Sequence, residues 1–182
     1  MSEVQLVLVR HAKTEQQGPP AEGDHGRRLT TRGVSDARAA GRWLHEEGLV
    51  PHLVLCSTAM RAEQTWQAMA GAVEDAGGPA RASVEVWRER RVYNASPADL
   101  LAVLAQVPDA VRCLTVVGHA PGVPALVADL SDAESSEPEA LATLDRGYPT
   151  MTCAVLRAGA SADRLALGSM RLSAVRTPRA DD

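Results

Sequence analysis

The chain has 182 residues, of which 45% are hydrophobic, and this is enough for one domain with a buried core. Its formal net charge of −4 excludes an overall basic field that would recruit nucleic acid or an anionic membrane surface. The first residues lack a basic stretch followed by a long apolar segment, and no apolar run reaches the length of a membrane span. We therefore expect a cytoplasmic protein with no nucleic-acid or membrane partner.

The first predicted strand ends on two residues suited to chemistry. Gln5 to Val9 is a short run rich in Val and Leu, which is typical of a strand buried on both faces. Arg10 and His11 follow directly, and ligands of an open α/β sheet bind beyond the carboxyl ends of its strands. Residues 16–28 are rich in Gly, Pro and charge, so we expect an exposed loop beside them.

The next predicted strand, Leu53 to Cys56, lies between two amphipathic helices. The helix before it starts near Thr31, with Thr30 or Thr31 as N-cap and Gly48 as C-cap. The helix after it carries Arg61 in its first turn, where a guanidinium and the free backbone N–H groups can bind one anion. An isolated arginine here is more often a solvated surface residue, so Arg61 alone decides nothing. The predicted buried faces are Val34, Ala37, Gly41 and Leu44 in the first helix, and Ala62, Thr65, Trp66, Met69 and Val73 in the second.

A second junction between a buried strand and a histidine occurs later in the chain. Ser83 to Val86 is a third strand candidate, and Ser96 to Asp99 has the N-cap, proline and acidic residue that open a helix. Cys113 to Val117 is again a buried-strand pattern, and it leads through Gly118 to His119. In two distant segments, therefore, a predicted buried strand ends next to a histidine.

The remaining pattern completes an α/β fold. We predict a helix over Pro121–Leu130, a loop over Ser131–Glu139, and two weaker strands over Thr152–Leu156 and Leu165–Ser169. Strands and helices alternate, which favours a three-layer α/β/α sandwich with a mostly parallel central sheet. Residues 1–175 are predicted to form this single domain, and residues 176–182 a disordered tail.

The cysteines and the other histidines suggest no further chemistry. Cys56, Cys113 and Cys153 lie in or at the end of apolar runs without CxxC spacing, which predicts buried reduced thiols. A cysteine-dependent phosphatase needs five residues between its cysteine and its arginine, whereas four separate Cys56 from Arg61. The remaining histidines are His25, His45 and His52. They lack paired ligand spacing and are expected at the surface, so we predict no metal site and no cofactor.

Arg10, His11, Arg61 and His119 share one position in the pattern, because each follows a buried strand or begins the next helix. Such residues converge on one edge of a parallel sheet. Two guanidiniums match the geometry of phosphate oxygens, and an imidazole beside them can attack phosphorus and carry the phosphoryl group transiently. The sequence therefore predicts a metal-independent phosphoryl-transfer site.

Five blocks of the sequence carry a resemblance to a known family. They are LVLVRHAKT (Leu6 to Thr14), RRLTTRG (Arg27 to Gly33), LCSTAMRAEQT (Leu55 to Thr65), VYNASPADLL (Val92 to Leu101) and VVGHAPG (Val116 to Gly122). Together they resemble the histidine phosphatase superfamily with its phosphoglycerate mutase-like fold, although Ala12 stands where glycine is common. The order of the blocks, without a large inserted helical subdomain, looks most like the small SixA-type phosphohistidine phosphatases.

The resemblance implies a role for each matching residue. His11 would be the nucleophile that forms a phosphohistidine intermediate, and Arg10 and Arg61 would hold the phosphoryl oxygens. His119 would stabilise the charge of the transition state, and Thr14 would add a hydrogen bond. Because the attacking nitrogen of His11 must be unprotonated, we expect a main-chain carbonyl to accept from the other ring N–H.

The proton donor has three candidates. Larger members of the superfamily use a glutamate after the third strand, which Glu89 resembles, and a shifted register would place Glu85 there instead. Asp24, in the loop before Arg27, is the third candidate. Phosphohistidine tolerates a poor acid better than alkyl esters do, because its P–N bond is labile.

The function implied by the resemblance is hydrolysis of phosphohistidine in a protein. The alternative is a small-molecule phosphomonoesterase that acts on a sugar phosphate or a nucleotide. A noncatalytic phosphate-binding module ranks below both, because His11 and His119 are both present. The expected partner is thus a phosphorylated protein or a small phosphorylated substrate.

Overall fold

The computed structural model describes residues 3–159 and 165–180, which form one mixed sheet flanked by helices. The strands are β1 (Val4–Arg10), β2 (Leu53–Ser57), β3 (Glu85–Glu89), β4 (Cys113–Gly118), β5 (Cys153–Ala158) and β6 (Arg171–Arg176). The helices are α1 (Thr31–Glu46), α2 (Met60–Asp75), α3 (Pro97–Leu104), α4 (Gly122–Leu130) and α5 (Pro138–Arg146). None of the described helices is long and apolar enough to cross a membrane.

The strand order β3-β2-β4-β1-β5-β6 places the strands that carry the predicted site residues side by side. β4 pairs in parallel with both β1 and β2, and β2 pairs in parallel with β3. β5 runs antiparallel to β1 and to β6. The predicted mostly parallel sheet is confirmed, and the ends of β1, β2 and β4 form one edge.

Helices cover both faces of the sheet, as alternating side chains in β1 require. Leu6 and Leu8 pack into one core together with residues of α3, α4 and α5. Val7 and Val9, on the opposite face, pack into a second core with residues of α1 and α2. Since successive side chains of a strand point to opposite faces, one apolar strand supplies both cores. The predicted three-layer α/β/α sandwich is confirmed.

Local capping sets where two of the helices begin. Thr30 is the N-cap of α1, and its hydroxyl oxygen accepts from the Gly33 N–H at 3.0 Å. Ser96 and Asp99 form the predicted capping box at the start of α3. A Cβ at Gly33 would overlap the carbonyl oxygen of Lys13, so glycine allows α1 to pack directly on the loop that follows β1.

Three elements differ from their predictions. The third strand is Glu85–Glu89 and not Ser83–Val86, because residues 81–83 form a 3-10 turn. The last strand is Arg171–Arg176, whereas residues 165–169 are largely turn and bend. The predicted loop over Ser131–Glu139 ends early, since α5 begins at Pro138. β3 and β6 are the edge strands of the sheet and are only partly buried, so their hydrophobic pattern is weak.

Two surface predictions also need correction. Val34, placed on the buried face of α1, is 39% exposed, whereas Ala37, Gly41 and Leu44 are buried. The tail predicted to be disordered from Arg176 is partly ordered: Arg176 ends β6, and the Ala180 N–H donates to Asp36 Oδ1 at 3.2 Å. The rest of that tail, residues 181–182, lies outside the described residues, as do residues 1–2 and 160–164 of the predicted domain.

Candidate active site

The edge formed by β1, β2 and β4 brings together the four residues predicted to act on phosphate. Arg10 is the last residue of β1 and pairs in register with Gly118, the last residue of β4. His11 and His119 follow these two strands, and the His11 N–H donates to the Gly118 carbonyl oxygen at 3.0 Å. Arg61 is the second residue of α2, which begins shortly after β2 ends. Adjacent strands therefore deliver all four side chains to one place.

The His11 ring is held as a neutral imidazole with one nitrogen available. Its Nδ1 lies 2.8 Å from the carbonyl oxygen of Ala12, and because a carbonyl only accepts, Nδ1 carries the proton. Burial lowers the pKa of His11 to about 4, and the positive charges of Arg61 and Arg10 act in the same direction. Nε2 is thus unprotonated at neutral pH, and the expected main-chain acceptor is confirmed.

A buried threonine ties the His11 loop to the start of α2. The Thr65 hydroxyl oxygen accepts from the Ala12 N–H at 3.0 Å, and the hydroxyl donates to the Arg61 carbonyl oxygen at 2.6 Å. Thr65 is fully buried. The His11–Ala12 peptide, which directly precedes the carbonyl that accepts from His11, is therefore fixed relative to Arg61.

His119 lies beside His11, with ring centroids 5.2 Å apart. The Arg61 Nε–H donates to His119 Nδ1 at 3.3 Å, so Nδ1 is the acceptor and Nε2 carries the proton. Nε2–H then donates to the Ser57 hydroxyl oxygen at 2.8 Å. Burial lowers the pKa of His119 to about 3, with a further contribution from the charge of Arg61. Both site histidines are therefore neutral at neutral pH.

Arg10 has a donor that needs an acceptor. Its Nη1 donates to the Tyr148 carbonyl oxygen at 2.7 Å, which fixes the guanidinium against the loop before β5. Its Nε is buried and has no hydrogen-bond partner among the described residues. Leaving a charged N–H unpaired in a buried position is costly, but this atom has almost no exposed surface, so a ligand oxygen could reach it only after the side chain shifts. Arg10 ends β1 beside His11, and its charge helps to lower the pKa of His11, so it can attract an anion bound next to that ring.

Arg61 is buried, and each of its three guanidinium nitrogens donates to a neighbour. Besides its bond to His119, Nη1 donates to the Asp24 carbonyl oxygen at 2.7 Å and Nη2 to Asp24 Oδ2 at 3.0 Å. The Tyr93 hydroxyl also donates to Asp24 Oδ2, at 2.8 Å, and Arg27 Nη1 donates to Oδ1 at 3.1 Å. The hydrogen bond from Tyr93, together with those from Arg27 and Arg61, lowers the pKa of Asp24 to about 2. Asp24 is therefore a carboxylate at neutral pH.

In the part of the chain that the structure describes, the other predicted contributors form hydrogen bonds with residues outside the group of two arginines and two histidines. Glu89 ends β3, and its carboxylate accepts from the Arg91 N–H at 3.0 Å and from Arg91 Nη2 at 2.7 Å, which lowers its pKa. Glu85 is the first residue of β3 and therefore lies at the amino ends of the parallel strands, whereas the site lies at their carboxyl ends. Its carboxylate accepts from Trp87. The Thr14 hydroxyl oxygen accepts from Arg27 Nη2 at 2.6 Å. Of the three proton-donor candidates, only Asp24 forms a hydrogen bond with a residue of the site.

Sequence reasoning gave no site role to four residues that the structure brings here. Ser57 ends a buried strand just as Arg10 does, and that shared position was a usable signal. Thr65 was predicted only as core, and Tyr93 lies in one of the five blocks of the resemblance but received no role. His25, expected at the surface, lies with its ring centroid 4.9 Å from that of Tyr93, and its Nε2 is 3.1 Å from the Thr58 hydroxyl oxygen.

The cysteines have no part in the site. Cys56, Cys113 and Cys153 are free and buried, which confirms the prediction. Burial raises the pKa of Cys56 to about 12, so it remains a thiol and is a poor nucleophile. Among residues 3–159 and 165–180, no three His, Cys, Asp or Glu side chains are grouped so that they could hold a metal ion.

The fold is an α/β sandwich, and two arginines and two neutral histidines lie together where neighbouring strands end. Proteins of this class are suited to bind oxyanions. Residues 6–92 match the model of the histidine phosphatase superfamily (branch 1). The chain is 34% identical to a protein of Nakamurella multipartitia provisionally assigned as the phosphohistidine phosphatase SixA, over 98% of both chains and with a TM-score of 0.76. The chain belongs to the histidine phosphatase superfamily and is a phosphatase, as its resemblance predicted.

Two further comparisons extend this finding. An uncharacterised protein of Mycobacterium tuberculosis strain H37Rv is 36% identical over 149 residues, which are 82% of this chain and 86% of that protein. A mycobacterial glucosyl-3-phosphoglycerate phosphatase is 18% identical, with a TM-score of 0.56 over 94% of this chain and 98% of the other. At that identity the likeness extends to the fold alone.

Proposed function

We propose that this phosphatase hydrolyses phosphohistidine carried by a protein, through a phosphohistidine intermediate on His11. The observation that carries the proposal is the neutral His11 ring, whose Nδ1–H is held by Ala12 while Nε2 keeps its lone pair beside two arginines. Similarity over the whole chain to the Nakamurella protein supports the SixA type of substrate.

The first step is attack of His11 Nε2 on phosphorus. The new P–N bond forms as the bond to the leaving group breaks, and the leaving group departs on the side opposite His11. Arg10 and Arg61 neutralise the oxygens of the transferred group. Water then attacks phosphorus, and His11 is released with inorganic phosphate.

His119 assists only after a change in its protonation. Its proton lies on Nε2 and is donated to Ser57, while Nδ1 faces Arg61. To donate to a phosphoryl oxygen, Nδ1 must take up a proton and lose the contact with Arg61. A phosphoryl dianion beside the ring favours this uptake, because a nearby negative charge stabilises the imidazolium. Charge stabilisation by His119 is thus coupled to substrate binding.

We infer that a phosphate ester would find no well-placed acid here, because two of the three candidates pair with arginines. Asp24 is ionised at neutral pH, and Glu89 is bound to Arg91. An alkoxide leaving group requires a proton, whereas the imidazole of phosphohistidine can be protonated in solution before the P–N bond breaks. This arrangement favours phosphohistidine over sugar phosphates and nucleotides, which remain the alternative substrates.

A substrate comparison tests the proposal. The values of kcat/KM should be measured for a phosphohistidine protein, an aryl phosphate, a sugar phosphate and a nucleotide. We expect the phosphohistidine protein to be hydrolysed at least about a hundredfold better than the sugar phosphate or the nucleotide. A higher kcat/KM for either small molecule would favour the alternative.

The nucleophile is tested separately by covalent labelling. His11→Ala should abolish turnover of every substrate and also abolish acid-labile labelling by radioactive phosphate. His52→Gln is the matched control, because His52 is exposed and lies directly before β2, at the end of the strand away from the site. Labelling that persists in His11→Ala would show that another residue carries the phosphoryl group.

A further inference from the structure

Asp24 places a permanent negative charge inside the arginine cluster of the site. Its backbone carbonyl and its Oδ2 accept from the two terminal nitrogens of Arg61, at 2.7 and 3.0 Å. Its two carboxylate oxygens also accept from Tyr93 and Arg27. Four hydrogen bonds from side chains, three of them from arginines, therefore converge on this one residue.

These contacts are of the kind that a phosphoryl group would make. Carboxylates and phosphoryl groups both present oxygens to the forked donors of a guanidinium. The Arg61 side chain is 4% exposed, whereas the Asp24 side chain is 51% exposed. The arginine is thus fixed in the interior, and the carboxylate reaches it from the loop of residues 16–28. Asp24 can leave Arg61 without opening the core.

We propose that Asp24 is a resident competitor of the phosphoryl group: it holds Arg61, yields that contact to an incoming phosphoryl dianion, and so sets the affinity of the site for oxyanions. The inference rests on the proposed function, because it takes Arg61 to be a phosphoryl ligand. In the exchange Arg61 gives up a carboxylate and gains a dianion, and Asp24 keeps its partner Arg27, which lies on the same loop.

Such an exchange makes the site selective for phosphoryl dianions over monoanions. A phosphoryl group carries about two negative charges and three acceptor oxygens, so it can replace the carboxylate on Arg61 and bind Arg10 at the same time. A monoanion with a single contact cannot compensate for the lost pairing. Inorganic phosphate, the product, is also easier to release because the carboxylate competes for its place.

Two other roles for Asp24 predict different results. If Asp24 only orients Arg61, removing its charge should weaken the binding of oxyanions. If Asp24 is the proton donor, the binding of inorganic phosphate should be unchanged and only substrates with poor leaving groups should react more slowly. The direction of the change in affinity therefore separates the three roles.

The test is calorimetric titration of orthophosphate, and separately of tungstate, into wild type and Asp24→Asn at neutral pH and fixed ionic strength. We expect the dissociation constant to fall about tenfold in Asp24→Asn, equivalent to about 1.4 kcal/mol. Asp24→Ala, which also removes the side-chain acceptor, should tighten binding at least as much. Binding is measured without turnover, so the result does not depend on the identity of the substrate.

Asp75→Asn is the matched control. Asp75 is an exposed carboxylate that pairs with Arg38 at 2.6 Å, and its substitution changes the net charge by the same amount. It ends α2, about 21 Å along the helix from Arg61, so the dissociation constants should stay within about twofold of wild type.

The outcomes are distinguishable. Unchanged or weaker binding in both Asp24 variants would overturn the inference and leave the proposed function standing, because the wild type still binds the ions. Equal tightening in Asp75→Asn would also overturn it, since the effect would then come from net charge. Binding of neither ion to any of the proteins would overturn the proposed function together with the inference.

Discussion

Thr65 offers a sharp test of how His11, the proposed nucleophile, is held. Thr65→Val keeps the shape of the side chain and removes its hydroxyl, which accepts from the Ala12 N–H at 3.0 Å. The Arg61 carbonyl retains its helical partner, so the principal loss is the Ala12 N–H, left buried without an acceptor. The Ala12 carbonyl, which accepts from His11, belongs to the next peptide, so the substitution loosens the backbone that orients the His11 ring.

The magnitude follows from the cost of one orphaned backbone donor. A buried N–H without a partner costs about 1–3 kcal/mol, so we expect the free energy of unfolding to fall by about 2 kcal/mol. For a chain of this size that corresponds to a decrease in Tm of about 4–8 °C. We further expect kcat to fall about tenfold, because the His11 ring no longer has a fixed acceptor for Nδ1–H.

Urea unfolding and steady-state kinetics on the best substrate measure both effects. Thr65→Ser is the matched control, because it keeps the hydroxyl and loses one methyl group, at a cost of about 1 kcal/mol. Its kcat should stay within about twofold of wild type. If Thr65→Val lowers the free energy of unfolding by less than about 0.5 kcal/mol and leaves kcat unchanged, the reasoning is refuted.

Three further predictions concern the pH response, His119 and the proton donor. Burial lowers the pKa of His11 from 6.5 to about 4, so between these pH values the unfolded chain binds more protons than the folded chain. The free energy of unfolding should therefore decrease as pH falls through that window, by about 3 kcal/mol at pH 4 from His11 alone. Urea titrations of wild type and His11→Gln should show a shallower slope for the variant, and equal slopes would contradict the assignment. Ser57→Ala removes the acceptor of His119 Nε2–H and should lower kcat about tenfold with little change in KM, while Ser57→Thr should restore kcat. Glu89→Gln should leave kcat/KM for alkyl and aryl phosphates within about twofold of wild type, and a selective loss on alkyl esters would identify Glu89 as the acid.

Much of this site could be predicted because its residues are marked by local patterns. Arg10, His11 and His119 directly follow runs of apolar residues whose composition defines buried strands, and Arg61 lies in the first turn of a helix with clear periodicity. Parallel strands end at a common edge, so the convergence of these four residues follows from the strand pattern. The bounds predicted for the two edge strands are wrong because their local pattern is weak. β3 and β6 are half-exposed, so their apolar and charged residues do not mark the strand clearly.

The sequence by itself therefore determined the layered fold, the strand ends that carry Arg10, His11 and His119, and the family to which the chain belongs. The tertiary structure alone decided how those groups are held. Asp24 reaches Arg61 across 37 positions, and the hydroxyl of Tyr93 reaches Asp24 across 69. Hydrogen bonds between such distant segments depend on how loops pack on a completed sheet, and they leave no periodic or local signal in the sequence. That packing places a carboxylate on the arginine that would hold the phosphoryl group.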